Sequence, residues 1–199
     1  MSIVESFTEH YQKYKWFFTS TGILVIGGKS AAQNDTLLES VLNAQHEYMI
    51  MHTHAPGSPF TVLCAPVKEL NQQSLLEAAI FTASFSQAWK QGKREALVDM
   101  FKSTQIHKNP TMKAGTWGVY GTVQKLKVPL QLALTRQKGI LRAVPLSAVK
   151  GKKKRLLLSP GSITKDELLP KVELELDEAL SKEEVLQAVP AGNFKVHYE

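Results

Sequence analysis

The stretch KYKWFFTSTGILVIGGK, residues 13–29, decides the fold of this chain. Residues 16–19 are aromatic or β-branched, residues 20–22 have turn chemistry, and residues 23–26 form a second apolar run. The pattern predicts a β-hairpin that ends at Gly27 and Gly28. Ser30 is a suitable N-cap for a helix over residues 31–42, where apolar residues recur at helical spacing. We therefore expect a strand-to-helix corner with free backbone N–H groups and Lys29 beside them.

Further elements are expected on both sides of this corner. The predicted strands are residues 47–52, 60–64, 116–120, 131–135 and 140–144, with 156–158 as an additional candidate. The predicted helices are residues 3–14, 70–89 with Asn71 as a possible cap, and a short helix after the capping box at residues 181–184. Residues 96–101 fit a strand or a short helix. Together these elements predict an α+β fold, a mixed, largely antiparallel sheet with helices mainly on one face.

Composition restricts the class of protein. The 199 residues are 43% apolar and 21% charged, as in soluble globular proteins. No window approaches the ~18 uninterrupted apolar residues of a membrane-spanning helix, so no membrane association is expected. The single cysteine, Cys64, leaves no internal disulfide or multi-cysteine zinc site. Since it follows an apolar strand, we expect a buried thiol in a cytoplasmic protein.

Charge is unevenly distributed along the chain. No acidic residue occurs between Asp99 and Asp166, an interval with 14 lysines and arginines from Lys102 to Lys165. A short basic run is usually a solvated face, but one of this length favours a polyanionic partner. Residues 1–155 carry +11 by count and residues 156–199 carry −5. We expect a domain at residues 1–160 and an acidic tail at residues 161–199, which either covers part of the basic surface or packs as an ordinary helix and strand.

Four blocks of sequence carry a family resemblance. The first block combines KYKWFFTS, LVIGGK and AQND at residues 13–20, 24–29 and 32–35. The other three are HTHAPGSPF at residues 52–60, an alanine- and serine-rich segment ending in Ala-Trp at residues 78–89, and GTWGVYG at residues 115–121. Over about residues 13–145 the chain resembles the NFACT-R domain, the RNA-binding module of the NFACT ribosome quality-control proteins. The first block is specific and the others are supportive.

The resemblance implies an RNA-binding surface built from several segments. Its expected contacts are Lys13, Lys15, Gly27, Gly28, Lys29, Asn34, His52, His54, Gly57, Ser58, Lys113, Trp117, Lys150, Lys152, Lys153, Lys154 and Arg155. The lysine cluster at residues 150–155 is expected to supply affinity without sequence specificity, unless it is only a solvated turn. Trp117, between two glycines, is the best candidate for an exposed stacking aromatic.

Three kinds of chemistry compete with simple binding at these residues. His52 and His54 lie two apart and face the same way on a strand, but no third ligand is near in sequence, so no metal and no other cofactor is expected. Residues 27–30, Gly-Gly-Lys-Ser, resemble the end of a phosphate-binding P-loop. Ile23 stands where that motif has its first glycine, so the spacing does not favour an ATPase. The remaining alternative is an RNA- or nucleotide-processing enzyme that uses His52, His54 and Ser58, which needs a carboxylate from elsewhere in the chain.

The sequence therefore predicts a non-catalytic RNA-binding protein of the NFACT-R type in a stand-alone form. The resemblance implies that it acts on tRNA or ribosomal RNA, with the ribosome as a further partner, in ribosome-associated quality control or translation. The NFACT-N domain, the helix-hairpin-helix segment and the coiled coil of full NFACT proteins have no room in these residues. The sequence does not specify an oligomeric state.

Overall fold

The computed structural model describes residue 7 and residues 9–151 and 155–198. The strands are β1 Lys15–Phe18, β2 Leu24–Gly27, β3 Tyr48–Thr53, β4 Thr61–Pro66, β5 Glu95–Lys102, β6 Ile106–His107, β7 Gly118–Val119, β8 Gln124–Pro129, β9 Leu132–Gln137, β10 Ile140–Val144, β11 Leu156–Ile163 and β12 Phe194–Tyr198. The α-helices are α1 Ala31–Leu42, α2 Gln72–Ser84, α3 Gln87–Lys90, α4 Lys165–Leu176 and α5 Lys182–Ala188. Within these ranges, no helix has the length and apolar character needed to cross a membrane.

A six-stranded sheet has the order β1-β2-β4-β3-β5-β8. Its first pair is the predicted hairpin, in which Trp16 lies opposite Ile26. Gly27 at the end of β2 lies opposite Thr61 at the start of β4, and Thr61 lies opposite Met51 near the end of β3. Because neighbouring strands are antiparallel, the start of α1 and the loop between β3 and β4 meet at the same end of this sheet.

A second sheet has the order β10-β9-β11-β12. The β9–β10 hairpin turns at Lys138 and Gly139, which both have positive φ (52° and 78°), as a two-residue turn of this hand requires. β11 continues through Pro160, where an irregularity places Pro160 and Ile163 both opposite Phe194. β12 thus joins residues from the predicted acidic tail to this sheet. Whether residues 161–199 form a separate domain stays a prediction.

The two faces of the six-stranded sheet contribute to different cores. On one face, Leu37, Leu38 and Val41 of α1 pack with Ile26 and neighbouring sheet residues. On the other face, Phe17 and other sheet residues share one core with α2, α3, α4, α5 and the second sheet. The predicted α+β class and the placement of helices mainly on one face are confirmed, with α1 alone among the described α-helices on the opposite face.

Capping side chains fix several helix boundaries. Ser30 accepts a hydrogen bond from Gln33 N, and Asn71 accepts one from Ser74 N, as predicted. The capping box of Ser181 and Glu184 is also confirmed. A second capping box, Thr164 with Glu167, begins α4 and was not predicted.

Other boundaries differ from the expectation. The single helix expected over residues 70–89 is divided, because the Ser86 hydroxyl accepts the Ala88 N–H and begins α3 as a new helix. The ambiguous residues 96–101 belong to strand β5. The helix expected over residues 3–14 lies partly outside the described residues. Cys64 is buried as expected, and its burial raises the pKa of the thiol to about 12.

Candidate nucleic-acid interface

The strand-to-helix corner is built by close approach at two glycines. A Cβ on Gly27 would lie 2.9 Å from Thr61 Cγ2, and one on Gly28 would lie 2.1 Å from Asn34 Oδ1. Gly28 N donates to Phe60 O at 3.3 Å, and Asn34 Oδ1 accepts from Phe60 N at 3.3 Å. The glycines and Asn34 thereby hold the first turn of α1 against the start of β4.

The first turn of α1 presents unused backbone donors at this corner. Ser30 Oγ accepts the Gln33 N–H, and Gln33 Oε1 accepts the Lys29 N–H at 2.9 Å. The N–H groups of Ala31 and Ala32 have no acceptor within the helix, as is general for a first helical turn. Together with the helix dipole they favour an anion.

An open cavity of about 350 Å³, here called the corner cleft, lies at this end of the sheet. Its lining includes six predicted site residues, Lys15, Gly28, Lys29, Asn34, Gly57 and Ser58. Phe85 and Lys90, which were not predicted, also line it. No aspartate or glutamate is among its lining residues. The corner cleft is therefore positively charged and lacks an internal counter-ion.

The cations around the corner cleft depress one another's proton affinity. Burial lowers the pKa of Lys15, and the positive charges of Lys29, Arg142 and Lys165 lower it further. Burial and Arg142 likewise lower the pKa of Lys29, and burial and Lys90 lower that of Lys165. Among the described residues, none of these five cations forms an ion pair with a carboxylate. Such a cluster is typical of a surface that binds an anion.

Gly57 and Ser58 determine the path of the loop after β3. Gly57 has φ +99°, and a Cβ there would lie 2.4 Å from Gln87 Cγ. Its carbonyl accepts the Gln87 N–H at 2.8 Å, which ties the loop to α3. Ser58 Oγ accepts from Thr53 N at 2.9 Å and donates to Pro59 O at 3.0 Å. Both residues hold the loop beside the corner cleft.

His52 in β3 and His54 directly after it differ in their surroundings. His52 is partly buried against Phe60, with ring centroids 4.5 Å apart, and its Nδ1 lies 2.7 Å from Thr53 O. Burial lowers the pKa of His52 despite this carbonyl and Asp99, so the ring is neutral at pH 7. His54 is exposed, and its Nδ1 lies 2.9 Å from Asp99 Oδ2. His52 therefore offers a neutral ring rather than a charged donor to a phosphate.

Trp117 is not an exposed stacking platform, so that expectation is wrong. Its side chain is 8% exposed because its Nε1 donates to Asp35 at 2.8 Å and its ring packs into the core beside α1. Tyr120 is instead 62% exposed and stacks on His107 at 3.9 Å between centroids. Trp117 still lines an open cavity of about 480 Å³ together with Asn34, His52, His54, Gly57 and Ser58.

The remaining predicted cations lie at different places. Lys13 is exposed next to the corner, where its carbonyl accepts from Gln33 Nε2 at 3.4 Å. Lys113 is exposed in the loop before Trp117. Lys150 lines a separate cavity of about 390 Å³ with Phe18 and Lys138, and Arg155 donates to Gly151 O at 2.6 Å. Lys152, Lys153 and Lys154 lie outside the described residues. Of the described members of the lysine cluster, neither Lys150 nor Arg155 lines the corner cleft.

Sequence reasoning missed Arg142, Lys90 and Phe85. Arg142 is the single charged residue in the apolar run of residues 140–144, which was a usable signal, because a charged residue is rarely placed among buried apolar residues without a partner for its charge. Lys90 follows the Ala-Trp pair that ends the helical segment. Nothing in the sequence pattern of Phe85 separates it from ordinary core aromatics.

The arrangement suits binding better than catalysis. The structure brings a carboxylate, Asp99, to His54, as the enzymatic alternative requires. The Ser58 hydroxyl, however, donates to a backbone carbonyl, and no hydrogen bond joins it to either histidine. In the described part of the chain, no group of three or more histidine, cysteine, aspartate or glutamate side chains is placed to hold a metal ion.

Comparison with known proteins identifies a similar family. The family model described as the NFACT protein RNA binding domain matches residues 13–121. The archaeal Rqc2 homolog aRqcH of Methanocaldococcus jannaschii is 28% identical over 94% of this chain and 29% of its own length. The ribosome quality control complex subunit NEMF homolog of Drosophila melanogaster is 31% identical over 40% of this chain and 8% of its own length. The chain thus spans under a third of each of these relatives.

A solved structure has a similar fold. It is the C-terminal part of the fibronectin/fibrinogen-binding protein of Streptococcus suis, with a TM-score of 0.52 and 23% identity. The match covers 58% of this chain and 45% of that one. At this identity the likeness concerns the fold alone.

Proposed function

Because the chain belongs to the family of NFACT RNA-binding domains, we propose that it binds tRNA or ribosomal RNA without catalysing a reaction. The observation that carries this proposal is the corner cleft, which combines several lysines, free helix N–H groups and no carboxylate. Phosphates of an RNA backbone are the anions that such a surface fits. Phosphate contacts carry no sequence information, so we expect binding to be weakly sequence-specific.

The proposed setting is ribosome-associated quality control or translation in the cytoplasm. The Drosophila relative carries ribosome quality control in its name, and the archaeal one is an Rqc2 homologue. We accordingly propose that the protein binds this RNA on the ribosome. Crosslinking in cells followed by sequencing of the bound RNA distinguishes tRNA from ribosomal RNA. Recovery of neither class above background would reject both targets.

The test of RNA binding is its salt dependence, measured by fluorescence anisotropy of a labelled single-stranded RNA. If about four to six phosphates are neutralised, the log–log slope of affinity against salt is roughly −3 to −4. Lys29→Gln should reduce the slope by about 0.7, because it removes one phosphate contact. Lys127→Gln is the matched control, since Lys127 is exposed and paired with Glu95 on the sheet edge. A flat salt response of the wild-type protein would refute the proposal.

A further inference from the structure

A second cavity, of about 270 Å³, adjoins the corner cleft. It lies between β1, β10 and α5, and we call it the Arg142 cavity after its principal cation; its lining includes Lys15, Trp16, Lys29, Phe85, Arg142 and Gln187. Lys15, Lys29 and Phe85 also line the corner cleft, so the two cavities are neighbours along one surface. No acidic residue lines the Arg142 cavity.

Arg142 is held in a defined orientation. Arg142 is only 7% exposed to solvent. Nε donates to Leu141 O at 2.8 Å, Nη2 donates to Gln187 O at 2.6 Å, and Cζ lies 5.0 Å from the centre of the Trp16 ring. Nη1 donates to none of the described residues, and no described carboxylate lies within ion-pair distance of the guanidinium. The backbone carbonyls orient the guanidinium without neutralising it.

A buried cation without a counter-ion is unfavourable unless something compensates it. Buried charges in proteins are normally paired, because moving an ion out of water is strongly unfavourable. Burial lowers the pKa of Arg142 to about 10, which still leaves the guanidinium protonated at neutral pH. Lys15 and Lys29 line the same cavity and add to the positive potential rather than reducing it. An anion is the ligand that would neutralise all three groups.

We propose that the Arg142 cavity binds one phosphate group of the RNA, held by Arg142, Lys15 and Lys29. The proposal rests on the proposed function and extends it, because it gives the RNA a fixed contact beyond the corner cleft. The guanidinium suits this role, since Nη1, which donates to none of the described residues, can give a charge-assisted hydrogen bond to a phosphate oxygen while Nε and Nη2 stay bound to their carbonyls. The cavity wall includes Gln187 of α5, so the acidic tail would contribute to the RNA site by orienting Arg142.

The first test compares two arginines of the same hairpin. Arg142→Gln should weaken binding of a labelled single-stranded RNA about tenfold and make the salt slope shallower by about 0.7. Arg136→Gln is the matched control, because Arg136 is on β9 and already pairs with Glu178 and Glu184. It should leave affinity within about twofold. Equal losses for both variants would overturn the proposal.

The second test uses the unmodified protein, so it does not depend on whether Arg142→Gln folds. In ¹H–¹⁵N spectra, inorganic phosphate should shift the Arg142 Nε–H and the backbone N–H of Gln187 saturably, whereas chloride at equal ionic strength should not. A single-stranded RNA dodecamer should shift the same signals. Equal shifts with a 5′-hydroxyl and a 5′-phosphate dodecamer would assign an internal phosphate, and shifts with the 5′-phosphate form alone would assign a terminal one.

The remaining outcomes separate this inference from the proposed function. If the dodecamer binds and shifts signals at the corner cleft but not Arg142, the inference fails and the RNA-binding function stands. If free phosphate shifts Arg142 but no RNA does, the cavity takes a small anion and the inference is again overturned. If no RNA binds anywhere, the proposed function itself fails.

Discussion

The indole Nε1 of Trp117 donates a hydrogen bond to Asp35 Oδ1 at 2.8 Å, across 82 residues of sequence. The same carboxylate accepts Gly115 N at 2.9 Å and Lys108 Nζ at 3.0 Å. Asp35 lies on α1, so one side chain fixes the loop of residues 108–117 against the helix that forms the corner cleft. Burial alone would raise the pKa of Asp35, but these hydrogen bonds outweigh it and hold the pKa below its usual value.

Asp35→Asn should lower the free energy of unfolding at pH 7 by about 1–3 kcal/mol, because charged hydrogen bonds are replaced and a donor is left unpaired. The folded pKa is depressed, so the contribution is complete above the unfolded pKa of about 3.9 and is lost as pH falls through the folded pKa. Urea unfolding at pH 7 and at successively lower pH should therefore show the two proteins converging. Asp166→Asn, at an exposed ion pair, is the control and should change stability by less than about 0.5 kcal/mol. A difference that persists unchanged below pH 3 would contradict this account.

Gly28→Ala should disrupt the corner, since the added Cβ would lie 2.1 Å from Asn34 Oδ1 and 2.9 Å from Asn34 N. We expect the Asn34–Phe60 hydrogen bond to break and unfolding free energy to fall by about 1–3 kcal/mol. A double-mutant cycle with Asn34→Ala measures the coupling, because that change removes the side-chain part of the clash. The double variant should be less destabilised than the sum of the two single variants. Simple additivity would show that the clash is relieved elsewhere.

Features that depend on neighbouring residues were predictable from the sequence. The hairpin of residues 16–26, the Ser30 cap and the capping box at Ser181 each follow from side-chain chemistry within a few positions, and the structure has all three. The same reasoning could have found the box at Thr164 and the cap at Ser86, which use the same chemistry.

Features that depend on distant partners were not predictable in this way. The pairing of His54 with Asp99 requires β3 and β5 to be neighbours, and 45 residues separate the two side chains. Burial of Trp117 requires Asp35, which no local pattern connects to it. The sequence did not predict strand β8, because its alternating lysines are also typical of a solvated loop. Residues 124–129 form a strand because they pair with β5. The burial and orientation of Arg142 depend on α5, because the Gln187 carbonyl of that helix accepts a hydrogen bond from the guanidinium.

Lys15→Met should make the free protein more stable and RNA binding weaker. The charged form of Lys15 is disfavoured by burial and by three neighbouring cations, and methionine removes that charge. The variant loses the contact of Lys15 Nζ with the face of the Phe85 ring, but a methionine thioether also packs favourably against an aromatic ring. We expect a higher thermal midpoint and a several-fold loss of RNA affinity. Lys68→Met, at an exposed position, is the control for both measurements.

The pH dependence of this variant has a defined sign. Because the folded pKa of Lys15 is lowered, the wild-type protein gains stability as pH rises from that pKa towards the unfolded value of about 10.4. Lys15→Met lacks this gain, so the gap between the two thermal midpoints should narrow at alkaline pH. A gap that widens as pH rises would mean that the Lys15 charge stabilises the fold.

Phe194→Ala should be among the most destabilising single changes in the described chain. Phe194 is fully buried, its ring centroid lies 5.8 Å from that of Trp89, and the neighbouring Asn193 carbonyl accepts the Trp89 Nε1–H at 3.0 Å. Removing a buried phenylalanine ring costs about 3–5 kcal/mol, so we expect a loss of that size in urea unfolding. Leu174→Ala, also in the acidic tail but 82% exposed, is the matched control and should cost less than about 0.5 kcal/mol.

The same comparison decides what the acidic tail, residues 161–199, does. A segment that only covers the basic surface through exposed ion pairs, each worth about 0.2–1 kcal/mol, could be removed to give a soluble protein that binds RNA more tightly. A segment that supplies Phe194, Leu168 and Val172 to the core cannot be removed in this way, because the remaining sheet would expose the apolar surface they bury. Deletion of residues 165–199 should therefore give an insoluble or unfolded product. A soluble, folded deletion protein together with a Phe194→Ala variant as stable as Leu174→Ala would establish instead that the acidic tail is a regulatory cover.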